Sequence, residues 1–225
     1  MVLPPVTIVW PCPLSVETYL EADGDVEVPR PACPGCGRPT TWWSGYRRFV
    51  RAGGTGRAMF VRRVRCGACR VTHAVLPAFL LSGRGDVVET IGAVIEAVVA
   101  GGRGGGVRPA AARADVPRTT ARGWVQRFVA RATGLAVGFA ALAVELSGDV
   151  AVAVGDAAGR ALTAVGAAFE AARALPGWDG LGRWRFASAV SGGRVLATNT
   201  NTPYLIVGRR RFMPPIPSDG TRMED

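Results

Sequence analysis

Cys33-Pro34-Gly35-Cys36-Gly37 and Cys66-Gly67-Ala68-Cys69, with 29 residues between Cys36 and Cys66, are the stretches from which the fold is read. Two residues between the cysteines of each pair let a tight turn aim both sulfurs at one point. Gly37, just past the second sulfur, suits a backbone that turns with positive φ. Four thiolates are a tetrahedral ligand set for Zn²⁺, and a closed set of four leaves no open coordination position. The expected role of Cys33, Cys36, Cys66 and Cys69 is therefore structural, not catalytic. Between the pairs, Thr40–Tyr46 and Met59–Val64 read as strands, so the layout is that of a zinc ribbon: knuckle, hairpin, knuckle. So small a module lacks a sufficient core, and metal binding would supply folding energy on the order of 10–16 kcal/mol. The competing readings are two unrelated pairs, or a thioredoxin-like redox motif. No βαβ context surrounds either pair. Cys12 has no partner and reads as a buried or free thiol. His73, the single histidine, reads as packed or surface rather than as a ligand.

Outward from the cysteines, the charge is uneven. The net charge is +10, and all 27 basic residues are arginine. Pro31–Gly85 holds ten arginines and no Asp or Glu; Gly101–Arg131 holds seven arginines and one acid, Asp115. Two nearby basic blocks almost free of acids point to an anionic polymer as partner. In Tyr46-Arg47-Arg48-Phe49-Val50-Arg51 and Arg62-Arg63-Val64-Arg65, arginines alternate with aromatic or apolar residues. Arg47, Arg48, Arg62, Arg63 and Arg65 are candidates for phosphate contacts. Trp42 and Trp43 read as ribbon core or a domain contact rather than as base-stackers.

C-terminal to the cysteines lies a helical pattern. Asp86 reads as an N-cap with Glu89 three residues on, as in a capping box. Val87, Val88, Ile91, Val94, Ile95 and Val98 then recur at helical spacing, and a glycine run at 101–106 ends this helix. A short helix over Val107–Ala114, a turn at Ala114-Asp115-Val116 and a helix from Pro117 to about Arg131 have the shape of a helix-turn-helix. Asp115 holds the turn position usually given to glycine and tolerates the left-handed conformation. Such a motif lays the N-terminal part of its last helix in the DNA major groove. Arg118, Thr119, Arg122 and Gln126 face outward there: the arginines suit guanine and Gln126 suits adenine. Arg103, Arg108, Arg113 and Arg127 suit phosphates.

The expected fold is thus mainly α with a small β zinc ribbon. An N-terminal arm (1–30) with a strand over Val6–Trp10 and a helix over Val16–Ala22 capped by Ser15 precedes the ribbon (31–82). A three-helix helix-turn-helix unit (86–131) follows. Then come an Ala-rich region (135–213) with helices at 135–146 and 156–174 and a strand pair, Arg185–Val190 with Arg194–Thr198, and a loose tail (214–225).

The strings Cys33-Pro34-Gly35-Cys36-Gly37, Tyr46-Arg47-Arg48, Arg62-Arg63-Val64-Arg65-Cys66, Thr72-His73-Ala74-Val75-Leu76-Pro77 and Thr120-Ala121-Arg122-Gly123-Trp124 resemble an actinobacterial zinc-ribbon/helix-turn-helix family. That family is similar to the N-terminal DNA-binding regions of insertion-sequence transposases. The resemblance covers about residues 6–131 and implies DNA binding, not catalysis. The acidic residues Glu145, Asp149, Asp156, Glu170 and Asp179 lie in too short a region, with too few strands, for a nuclease domain.

The expected function is that of a non-catalytic, zinc-containing DNA-binding protein: a transcription regulator or a transposition accessory factor. Double-stranded DNA is the expected partner, with a transposase or integrase, or a second copy in a dimer, beside it. The alternative is a protein- or RNA-interaction module on a structural zinc ribbon. Met1–Trp10 has no Lys, Arg or cleavage pattern. The longest apolar run, Leu135–Val144, is half the length of a membrane span of about 20 residues. The expected location is the cytoplasm, at the nucleoid, with no membrane partner.

Overall fold

The computed structural model describes residues 7–52, 54–101, 105–148, 155–178 and 180–197. Strand β1 (Thr7–Trp10) and helix α1 (Val16–Glu21) come first. Ser15 caps α1 as expected, its hydroxyl accepting from the Thr18 amide at 3.1 Å. A long hairpin follows, β2 (Thr40–Ala52) and β3 (Thr55–Cys66), and then β4 (Thr72–Pro77). The four strands form one sheet in the order β1-β4-β3-β2. β3 is antiparallel to both neighbours, and β1 runs parallel to β4.

This is a mixed α/β fold, which corrects the expectation of a mainly α chain. The hairpin strands are 13 and 12 residues long, because alternation continues through Arg47–Arg51 and Arg57–Met59, past the ends read from sequence. Strand β4 was missed for a different reason. Thr72-His73-Ala74-Val75-Leu76-Pro77 is mostly buried, and a strand covered on both faces shows no period-2 alternation. Two cross-strand contacts close the hairpin over its glycines: the Phe60 ring lies over Gly45 and the Phe49 ring over Gly56, where side chains would collide with them.

Helices α2 (Val88–Val99), α3 (Val107–Arg113) and α4 (Arg118–Ser147) follow. Asp86 does not cap α2, whose N-cap is Val87. Its buried carboxylate instead accepts two hydrogen bonds from Arg51, at 2.9 and 2.8 Å. Beside it the backbone pairs with the end of β2, Arg51 N–H to Gly85 at 2.7 Å and Val87 N–H to Arg51 at 3.1 Å. The ion pair thus fastens the start of α2 to the sheet.

The helix expected to end near Arg131 runs on to Ser147, through Gly134. A mid-helix glycine costs about 1 kcal/mol, less than the burial gained by continuing. Phe128, Ala132, Leu135, Phe139 and Leu142, spaced by four, three, four and three, are all buried. Gly148, at φ 78°, ends the helix in the left-handed conformation. Among the described residues α4 is the one helix long and apolar enough to cross a membrane, because alanines and glycines flank the run at Leu135–Val144. Only 28% of its most apolar window is buried, and Val129, Val137 and Val144 are exposed.

Helix α5 (Ala157–Arg173) is capped by Asp156, which accepts from the Gly159 amide at 2.7 Å. Its buried face is mostly alanine, Ala161, Ala164, Ala168 and Ala172 with Val165, so α4 and α5 approach closely. The expected strand over Arg185–Val190 is instead helix α6 (Arg183–Val190). Arg183-Trp184-Arg185-Phe186 alternates like a strand for four residues only. Tertiary partners decide otherwise: Arg183 and Arg185 reach Glu96 (3.3 Å) and Glu89 (2.5 Å) on α2, and Phe186 packs on Trp178 (5.4 Å). The glycine turn at 191–193 ends this helix, with Gly193 N–H bonded to Ser188 at 2.7 Å. One buried cluster runs from Ile8 to Leu196 and draws on the sheet and the helices alike. Val6, Arg103, Asp149, Asp179, Thr198 and the tail 214–225 lie outside the described residues.

The contact of α2 with α6 rests on Gly92. A methyl group there would overlap the Trp184 ring, which Glu96 holds through an Nε1–H bond of 2.8 Å. Gly92→Ala should lower stability by about 1–3 kcal/mol through overpacking, outweighing its gain of about 1 kcal/mol in helix propensity. Urea unfolding checks this; an unchanged or raised midpoint would show that the ring can swing away.

Candidate metal centre and basic surface

Both cysteine pairs sit in the same local backbone. Gly37 N–H bonds to Cys33 O at 2.8 Å, and Cys33 N–H to Arg38 O at 2.8 Å, closing the first turn. In the second, Cys66 N–H bonds to Val71 O at 2.9 Å and Cys69 N–H points at Cys66 Sγ at 3.4 Å. The residue after each pair is left-handed, Gly37 at φ 72° and Arg70 at φ 57°. The first matches the sequence reading. The second uses a non-glycine residue and shows that the geometry is imposed at both turns.

These turns bring Cys33, Cys36, Cys66 and Cys69 together, with all four sulfurs within 4.8 Å of one another. Cys36 and Cys66 are 3.5 Å apart, and Cys33 and Cys69 4.0 Å. A tetrahedron with metal–sulfur bonds of about 2.3 Å has edges of about 3.8 Å, so a tetrathiolate ion fits. The set is compatible with zinc. Among the described residues no other group of His, Cys, Asp and Glu has a metal-holding arrangement.

The sulfurs are unequal as acids. The Cys69 amide pulls the Cys66 thiol down to about 7. Hydrogen bonding with Cys36, with burial behind it, pushes Cys69 up to about 12. Four thiols at this spacing resist joint ionisation, and a divalent cation is what offsets that repulsion. His73 is buried on β4 with Nε2 3.7 Å from Cys33 Sγ; a closed four-sulfur site leaves it as packing beside the cluster. Cys12 lies apart, buried, its thiol pushed up to about 11 by burial.

The hairpin carries basic residues along its whole length, from Arg65 beside Cys66 to Arg51 and Arg57 toward the tip. Arg47 donates two hydrogen bonds to Asp23, at 2.9 and 2.8 Å, which hold that carboxyl below its usual range. Arg48 is tucked in, bonded to the Arg84 carbonyl, and burial lowers its pKa. Arg62 reaches the Gly24 carbonyl at 2.8 Å and stacks 5.4 Å from the Trp42 ring centre. Of the five hairpin arginines expected to face phosphates, these three have partners within the fold. Arg63 and Arg65 are in no ion pair among the described residues, and Arg65 stacks 4.4 Å from Trp43. Trp42 and Trp43, expected in the ribbon core or at a domain contact, are 37% and 57% exposed and so are not core residues. Two adjacent tryptophans on a strand gave no sign of that; only the sheet order, which leaves β2 at the edge, does.

On the helices, Asp115 takes the left-handed conformation the sequence suggested, at φ 50°. Arg118, Thr119, Arg122 and Gln126 lie exposed along the first turns of α4, over buried Ala121, Trp124 and Phe128. Arg108 and Arg113 are exposed on α3, while Arg127 folds back on the Gly123 carbonyl at 3.0 Å. The hairpin tip reaches this region: Gly54 lies against the Asp115 carboxylate, with no space for a side chain. Of the acidic residues considered for nuclease chemistry, Asp156 caps α5 and Glu170 pairs with Arg173 at 3.0 Å.

A family model described as "Domain of unknown function (DUF6431)" matches residues 33–107. The match begins at the first cysteine of the cluster and ends at the start of α3, so it takes in the whole cysteine cluster and hairpin. No curated protein and no solved structure matches the chain.

Purified protein should contain one zinc per chain, and Co²⁺ exchanged into it should show the strong visible absorption of a tetrahedral thiolate site. Cys66→Ser should abolish both. Because each ligand must be deprotonated, affinity should fall as pH falls. Full metal content in Cys66→Ser would exclude a four-cysteine site.

Proposed function

We propose that this chain is a non-catalytic, zinc-containing DNA-binding protein, acting as a transcription regulator or a transposition accessory factor. On this reading the cysteine cluster and β2–β3 form a zinc ribbon, and α3 and α4 are a helix-turn-helix. The observation that carries it is the exposed row Arg118, Thr119, Arg122 and Gln126 on the first turns of α4, directly after the left-handed Asp115. A helix entering the major groove by its N-terminal end presents such a row to base edges. A bidentate arginine–guanine contact contributes about 1–3 kcal/mol of discrimination. Exposed Arg108 and Arg113 on α3 would set the register by touching phosphates.

The resemblance to the DNA-binding regions of insertion-sequence transposases supports the same reading. The hairpin tip beside Asp115 is a second support, since it puts the basic ribbon next to the reading helix. The exposed valines of α4, Val129, Val137 and Val144, suit a second copy, or a transposase or integrase, as partner beside double-stranded DNA.

Gel-shift titration on a selected duplex is the test. Affinity should fall steeply with salt, with a slope of about 0.9 per phosphate neutralised. Arg118→Ala and Arg122→Ala should each cost about 1–3 kcal/mol and relax preference at one base pair. Arg108→Ala should weaken all sequences alike. Negligible duplex affinity at low salt would end the proposal.

A further inference from the structure

We propose that the exposed side chains at the cysteine end of the β2–β3 hairpin, Trp43 and Tyr46 with Arg63 and Arg65, form a binding site for unpaired single-stranded DNA. The register pairs Tyr46 with Val61, Ser44 with Arg63 and Thr41 with Arg65. Directly paired residues share a face, so Tyr46, Arg63 and Arg65 lie on one side of the sheet. Trp43 is the extra residue where the register shifts between Trp42 and Ser44. Its ring meets Arg65 and so belongs to the same side. Trp43 is 57% and Tyr46 41% exposed.

Two features select the occupant. The first is charge: Pro31–Gly85 has no Asp or Glu, and of the carboxylates that reach the hairpin, Asp23 and Asp86 are held by Arg47 and Arg51 while Asp115 lies at the tip, away from the cysteine end. Arg63 and Arg65 keep their charge for an outside anion. The second is shape. Trp43 and Tyr46 are flat rings about 10 Å apart along an extended strand, so each can take its own base. Base–aromatic stacking with cationic side chains alongside is how sequence-tolerant single-strand sites work. In a duplex the base faces are hidden in the stack, so these rings would find only edges and backbone. An acidic peptide would satisfy the arginines but offer nothing flat to the rings.

This site is distinct from the α4 row and stands or falls separately. Fluorescence anisotropy on the full metal-loaded chain tests it, with labelled oligothymidylate of about 20 nucleotides and a duplex of similar length. Trp43→Ala/Tyr46→Ala should weaken oligothymidylate binding by about tenfold or more per ring and change duplex affinity little. Arg118→Ala and Arg122→Ala should leave oligothymidylate binding unchanged. Trp43→Phe/Tyr46→Phe should keep most of it, since a phenyl face still stacks. Undiminished binding by the alanine variant, an equal loss for duplex, or tighter binding of oligouridylate RNA would each overturn the assignment. If the alanine variant loses its metal, tryptophan emission decides: oligothymidylate must quench it in the native chain and quench it less in Trp43→Phe.

Discussion

Four sulfurs held within 4.8 Å of one another are the constraint on which the basic half of this molecule depends. The strands between them are long, and their exposed surface mixes arginines with Trp42, Trp43, Tyr46 and Phe49. A two-stranded ribbon of that kind is marginal by itself in water. At its cysteine end the hairpin is held by the turns at Cys33–Gly37 and Cys66–Arg70, whose four sulfurs a divalent cation would tie together as thiolates. At the other end the Arg51–Asp86 pair and the backbone bonds beside it clamp the strand to the start of α2. Between the clamps the hairpin buries Met59, Val61 and Val64 in the core while Trp42, Trp43, Tyr46 and Phe49 stand exposed.

The use of arginine throughout fits that arrangement. Four of the hairpin's arginines serve the fold: Arg47 on Asp23, Arg48 on a carbonyl, Arg51 on Asp86, and Arg62 on a carbonyl and a ring. An ammonium group would keep more of its water and stack less well on Trp42 or Trp43, whereas the planar guanidinium can stack and donate at once. High net charge is therefore not the same as high available charge. On the hairpin, Arg57, Arg63 and Arg65 are what is left for a partner; on the helices, the exposed row of α4 is.

Sequence reading located the four cysteines that cluster, the hairpin between them, α1 with its cap, α2, α3, the left-handed Asp115 and the start of α4. Each of these is marked by local chemistry: a ligand spacing, an alternation, an N-cap or a turn residue. What it missed is decided at a distance. β4 has no alternation because both its faces are covered. α6 alternates like a strand until Glu89 and Glu96 on α2 claim its arginines. Gly134 looks like a stop until the buried row from Phe128 to Leu142 is seen to continue through it. Asp86 looks like a cap and is instead half of an ion pair with a residue 35 positions earlier. Exposure of Trp42 and Trp43 follows from the place of β2 at the sheet edge, which no local pattern encodes.

The contact between Gly54 and Asp115 gives the two basic regions a common reference. Asp115 needs positive φ to turn α3 into α4, and Gly54, itself at φ 76°, has no side chain to push that turn away. The direction of the hairpin and the orientation of α4 are therefore set against each other at one point, and a stiff β-ribbon relates that point to the cysteine cluster at its far end. Under the proposed reading, metal at the cysteines acts on the reading helix through this lever: it fixes the far end of a rigid arm whose near end abuts the turn. A metal used in this way contributes position rather than chemistry, which is the use a closed ligand set permits.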